Sequence, residues 1–219
     1  MAAAKKTKKA EAEVITISPP NFQHIKLDLE GTAPLMQARF SAKAMQAMMS
    51  KMAAGSSAKK GTKREARDFD EDFRQAMHVS EDGWIGVPAA ALRNACIDVC
   101  RMVGFKMVYA RMSIFVLPDG NDKVDGQPLI KLDAGEPERT EMATRNATGV
   151  ADIRIRPMWR EWRLHPVFRF DGDQFKEADV VNLVARAGEQ IGLGEGRPFS
   201  KMSNGMGFGT FRIAPPSKK

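Results

Sequence analysis

The stretch AGEQIGLGEGRPFSKMSNGMGFGTFRI, residues 187–213, decides how the rest of the chain is read. Its glycine-rich loop carries Gly192, Gly194, Gly196, Gly205, Gly207 and Gly209, with Gly188 just upstream. Glycine reaches φ > 0 without steric cost and lets another backbone come close. Before the loop, Val180, Leu183, Val184, Ala187 and Ile191 recur at spacings of three and four, the apolar stripe of a core-packed helix over 177–191. After it, Phe208, Thr210, Phe211, Arg212 and Ile213 read as a terminal strand over 207–214, stopped by Pro215 and Pro216. A long glycine loop bearing Arg197 and Lys201 between a helix and a strand suits an extended polyanion. The alternative is a connection that binds nothing, since nucleotide loops are usually shorter and open a helix.

Working outward, Ile25, Leu27 and Leu29 alternate with Lys26, Asp28 and Glu30, a half-buried strand over 23–30. Ser41 is a good N-cap for a helix over 42–53 whose Met45, Met48, Met49 and Met52 make a core face or a groove for a partner helix. Residues 53–66 form a basic loop with Lys59, Lys60, Lys63 and Arg64, either touching phosphates or solvated. A short helix is expected over 67–77. Pro88 opens a second core helix, 88–103, with Leu92, Ala95, Cys96 and Val99 inward and Arg93 and Arg101 away, and Gly104 ends it. Val108, Ala110, Met112, Ile114 and Val116 alternate in period two, which predicts a strand over 107–117. Arg154 and Arg156 share one face of a further strand, Trp159, Arg160 and Trp162 follow, and Leu164, Phe168 and Phe170 mark a strand over 163–171.

Taken in order, the best-supported elements read βαββαβ. That is an α+β, ferredoxin-like (RNA-recognition-motif-like, RRM-like) core with two long insertions, about 32–83 and 118–160. It forms a single domain over 14–214, after a disordered basic tail at 1–13 and before a short tail at 215–219. The free sheet face and the insertions are where such a domain receives single-stranded nucleic acid.

The 219 residues carry a net charge of +7, and the pI of about 9.5 favours a nucleic-acid partner. Cys96 and Cys100, the only cysteines, lie four apart on one predicted helix, which argues against a disulfide and makes a poor zinc site. No apolar run is long enough for a membrane span and residues 1–13 lack a signal-peptide core, so a cytoplasmic protein without a membrane partner is expected. Asp68, Asp70, Glu71 and Asp72 point different ways on a helix, and GLGEGRPF lacks the lysine and hydroxyl ending of a P-loop. No metal and no cofactor is expected.

The segments GTAPL (31–35), WIGVPAAALRNA (84–95) and IGLGEGRPFSKMSNGMGFGTFRI (191–213) resemble the RAMP superfamily, whose members form the backbone of CRISPR effector complexes. Val87, Pro88, Leu92 and Arg93 match that family's lead-in to its first main helix. The wording is also similar to an uncharacterised family carried by phages and mobile elements. The resemblance implies a ferredoxin-like core, a glycine-rich loop before the last strand and an RNA partner.

The leading expectation is a non-catalytic binder of single-stranded RNA or DNA, RNA favoured. It oligomerises along the strand as a filament, as the backbone subunit of a CRISPR-like ribonucleoprotein with other subunits. Phosphate contacts are expected from Arg39, Lys59, Lys60, Lys63, Arg64, Arg93, Arg154, Arg156, Arg160, Arg197 and Lys201. Trp159, Trp162 and Phe199, with Trp84, are the base-stacking candidates, their alternative being core or subunit interface. No catalytic residue is assigned. The alternatives are a phage protein that binds or anneals single-stranded DNA, a metal-independent endoribonuclease drawing on His24, His78, His165 or Tyr109, and a virion or assembly protein.

Overall fold

The alternating run at the start of the core forms two strands, β1 (Phe22–Lys26) and β2 (Leu29–Gly31), in the computed structural model, which describes residues 17–55, 67–145, 151–200 and 205–215. The predicted strand at 163–171 divides in the same way, into β10 (Trp162–Leu164) and β11 (Val167–Asp171). The two breaks face each other, and there the Leu27 N–H donates to the Pro166 carbonyl at 3.1 Å. On one side of the break β1 pairs with β11 and β11 with β5 (Ile114–Leu117). On the other, the order is β12 (Phe211–Ile213), β2, β10, β7 (Pro128–Ala134) and β4 (Gly86–Pro88), with β6 (Gly120–Asn121) also on β7. Every pairing is antiparallel, so the chain is an α+β protein of mixed helices and antiparallel sheets.

Helix α3 (Ala89–Met102) packs on β5 and β7, α5 (Glu177–Arg186) packs on β12, and the two helices touch. Their apolar stripes close the core on Phe168, Phe170, Phe211, Leu29, Leu92 and Ile114, each fully buried. Truncating such a phenylalanine to alanine costs about 3–5 kcal/mol. The expected helix 177–191 ends in a wider π turn, Ala187–Ile191. A Cβ on Gly188 would stand 2.1 Å from the Phe211 carbonyl oxygen, so glycine is what lets this turn press onto β12.

The strand expected over 107–117 is only half a strand. Met107–Ser113 is helix α4, and extended structure begins at Ile114. The period-two pattern misled because Val108 and Met112 are exposed while Ala110 between them is buried, and the buried pair Ala110 and Ser113 is spaced by three, as on a helix. Arg93 stabilises the end of α4 from α3: its Nε donates to the Ile114 carbonyl at 2.8 Å and its Nη2 to that of Arg111. Those carbonyls lack helical partners, and a cation at a helix C-terminus also complements the dipole.

The two insertions meet. Residues 32–83 hold β3 (Leu35–Met36), α1 (Ala42–Ala54) and α2 (Phe69–Gln75), while 118–160 include the hairpin of β8 (Glu138–Arg145) and β9 (Ala151–Trp159). β3 pairs with β9, making a third sheet in the order β3, β9, β8. Ser41 caps α1 as expected, accepting from the Ala44 N–H at 3.1 Å. The methionine face of α1 is not core, however: Met48, Met49 and Met52 are exposed. Among the described residues no helix is long and apolar enough to cross a membrane.

Candidate nucleic-acid interface

The glycine-rich loop folds back on its own chain. The Leu193 N–H donates to the Gly209 carbonyl at 2.9 Å, the Gly209 N–H to Pro34 at 2.8 Å and the Glu195 N–H to Met36 at 2.9 Å. A Cβ on Gly194 would lie 2.2 Å from the Met36 oxygen, and one on Gly209 1.8 Å from the Leu193 oxygen. Gly192, Gly196 and Gly209 are buried, so the first limb of the loop is no open ribbon for a polyanion. Only Gly205 and Gly207 border open space. Arg197 donates to the Gly194 carbonyl at 2.8 Å, and Phe199 is half exposed at the rim.

Other candidate cations are already engaged. Glu195, in the same turn, accepts from Arg154 at 3.1 Å and from Arg156. Arg160 grips Glu138 at 2.9 and 3.0 Å on the surface. The Arg39 side chain is buried beside Asp122, its Nε 3.2 Å from Oδ2. Trp159 and Trp162 are each only 2% exposed and donate to the Gly135 and Ala33 carbonyls at 3.0 and 2.8 Å, so neither offers a ring to a base. A buried tryptophan spends its N–H on the nearest acceptor, and these became core. Lys59, Lys60, Lys63, Arg64 and Lys201 lie outside the described residues, as do residues 1–13 and 216–219.

What the fold does expose is the outer face of the β1, β11, β5 sheet. Phe168, Phe170, Ile114 and Val116 point into the core, so their strand neighbours face outward. By register His24 sits opposite Arg169 and Lys26 opposite Val167, on the same face as Phe22 and Phe115. The Arg169 guanidinium lies 4.6 Å from the Phe22 ring centre and 4.7 Å from that of Phe115. The two rings meet edge to face at 5.9 Å, and Arg93 covers Phe115 from the helix side at 5.0 Å. No carboxylate pairs with Arg169 among the described residues, and its buried Nε has no hydrogen-bond acceptor. Apart from Arg93 and His24, none of these residues is conspicuous in sequence. The available signal was Phe115, an aromatic at the outward position between core Ile114 and Val116.

Arg93 also leads from this face towards a cleft of about 840 Å³ between α3 and the glycine turn, lined in part by Arg101, Arg111, Arg197 and His78. His78 Nδ1 is 3.0 Å from Asp122 Oδ2, and the Asp122 carboxylate, itself buried, accepts from the Val124 N–H at 2.9 Å. A carboxylate only accepts, so Nδ1 carries a proton, and in the neutral ring Nε2 keeps its lone pair. Burial holds the His78 pKa below the ordinary histidine value, against the opposing pull of Asp122. The Gln37 amide braces the same loop, accepting from the His78 N–H at 3.0 Å and donating to the Gly86 carbonyl at 2.9 Å.

The remaining chemistry-bearing groups have structural partners. His165 lies between Asp28 at 2.7 Å and Asp133 at 3.4 Å, and the hydrogen bond to Asp28 leads in raising its pKa. Asp68 caps α2, while Asp70, Glu71 and Asp72 pair with Arg139, Arg74 and Arg67. Burial pushes the Cys96 thiol up to about 12, away from thiolate chemistry. Among the described residues no group of three or more His, Cys, Asp or Glu side chains is arranged to hold a metal ion.

The chain matches no protein-family model and no curated protein.

Proposed function

We propose that this chain is a non-catalytic, single-stranded nucleic-acid-binding protein built on a ferredoxin-like core, and that the strand crosses the outer sheet face. Supporting the core is the order β12, β1 with β2, β10 with β11, then β5, antiparallel throughout, with α3 and α5 in mutual contact. The observation that carries the function is Arg169, a cation held between two half-exposed phenylalanines without a counter-ion among the described residues. Rings and a guanidinium plane stack on any base, and Lys26 and Arg93 beside them supply positive charge along the backbone. The net charge of +7 favours the same partner. On this reading, copies lie side by side along a cytoplasmic RNA, in the manner the RAMP resemblance implies.

The test is fluorescence anisotropy with labelled oligouridylate and oligodeoxyuridylate at low and high salt. Binding should weaken steeply with salt, and Arg169→Ala or Phe115→Ala should each cost about tenfold in affinity for both strands. Absence of binding at low salt, or variants that bind as the parent does, would sink the proposal.

A further inference from the structure

We propose that the cleft between α3 and the glycine turn takes one nucleotide of the bound strand, and that His78 accepts a hydrogen bond from its ribose 2′-hydroxyl, so that the protein selects RNA over DNA. This rests on the nucleic-acid reading above and adds to it the choice of sugar.

Three features point to this ligand. The cleft, at about 840 Å³, has room for a nucleotide, and Leu35, Val87, Pro88 and Ile97 give it an apolar wall against which a base or sugar can lie. Arg101 and Arg111 line it, and among the described residues neither side chain has a hydrogen bond or an ion pair. Of the two carboxylates there, Glu195 is committed to Arg154 and Arg156, and Asp98 offsets only one of the two unpaired arginines, so the remaining charge favours an anion.

His78 then narrows the chemistry. With Nδ1–H spent on Asp122, Nε2 is the one ring nitrogen that His78, a lining residue of the cleft, has left for a ligand, and in the neutral ring it is an acceptor. A phosphodiester has no proton to give, so an acceptor set among arginines calls for a ligand that pairs a phosphate with a hydroxyl or amine donor. A ribonucleotide does so, and its 2′-hydroxyl is the group that separates RNA from DNA. The route is continuous: Arg93 covers Phe115 on the sheet face and donates to the Arg111 carbonyl at the cleft.

Oligouridylate and oligodeoxyuridylate share the base and differ only in the 2′-hydroxyl, so their affinity ratio is the readout. The intact protein should prefer the ribose strand by about fivefold, the scale of one net hydrogen bond. His78→Leu should bring the ribose strand down to the deoxyribose level while leaving the latter unchanged. Arg39 keeps Asp122 paired in that variant, and a thermal melt reports whether it folds. Arg101→Ala combined with Arg111→Ala, both on exposed residues, should weaken the two strands equally and flatten the salt dependence.

Equal affinity of the intact protein for the two strands overturns the inference, and if Arg169→Ala still weakens both, the sheet-face reading stands without it. A ribose preference retained by folded His78→Leu overturns it too. Uridine monophosphate displacing the strand at matching concentration would assign the cleft to a free nucleotide instead. Shortening of the ribose strand in EDTA, stopped by His78→Leu, would replace selection by cleavage.

Discussion

The glycine turn and the outer sheet face are opposites. The turn is the most conspicuous feature of the sequence, yet its first limb is spent on the molecule itself. Its backbone N–H groups bond to Pro34 and Met36, and its one acid pairs with both Arg154 and Arg156. The sheet face is inconspicuous, a phenylalanine here and an arginine there, yet it holds a cation with no counter-charge among the described residues. Residue type measures what a side chain is able to do. Whether any of that capacity is left for a ligand depends on what the fold has already placed beside it.

The contrast breaks most readily at the turn. Gly209→Ala, which drives a methyl into the Leu193 carbonyl at φ +67, should lose about 4 kcal/mol or more of unfolding free energy in urea. Gly207→Ala, strained at φ +81 but with open space around it, should lose about 1–2 kcal/mol. Equal losses would mean that the turn is not packed as described.

Next in size is binding. Phe22→Ala should cost about tenfold in single-strand affinity, whereas Arg154→Ala with Arg156→Ala should cost less than about threefold because both are already paired, with Glu195 and, for Arg154, Asp152 as well. Reversal of that order would return the interface to the turn. Glu195→Gln sharpens the point: freeing both arginines should raise affinity and steepen the salt slope by about 0.7 for each new phosphate contact. An unchanged slope would place the strand far from β9.

The smallest effect is that of pH. Burial lowers the His78 pKa in the folded protein below 6.5, so the unfolded chain takes up the proton first. The stability tied to neutral His78 is complete above about pH 6.5 and declines as pH falls towards the folded value. Urea melts at descending pH should show this decline, and His78→Leu should flatten it. His165 has the opposite sign, stabilising below about pH 6.5 and losing that contribution as pH rises through its raised folded value, but its exposure keeps the effect small.

Much of the element order was legible because it follows local patterns. The stripe of Val180, Leu183 and Val184, the Ser41 cap and the alternation of Phe168 and Phe170 each report a buried face within a few residues. Met107–Ser113 was not legible, because a short exposed segment alternates by accident and the carbonyl partners that stabilise it belong to Arg93 on another helix. The choice between base platform and core for Trp159 and Trp162 was not legible, because an aromatic beside arginines looks the same whether it faces solvent or core. The His78–Asp122 pair, joining residues 44 apart in sequence, carries no motif.

What the sequence determined by itself is the alternation of helices and strands, the basic charge, and the need for glycine where two backbones touch, since each depends on the steric and apolar character of neighbouring residues. What only the tertiary structure decided is which cations and rings remain open. Charge is balanced, and surface is covered, by groups that meet only when distant strands and helices are brought together.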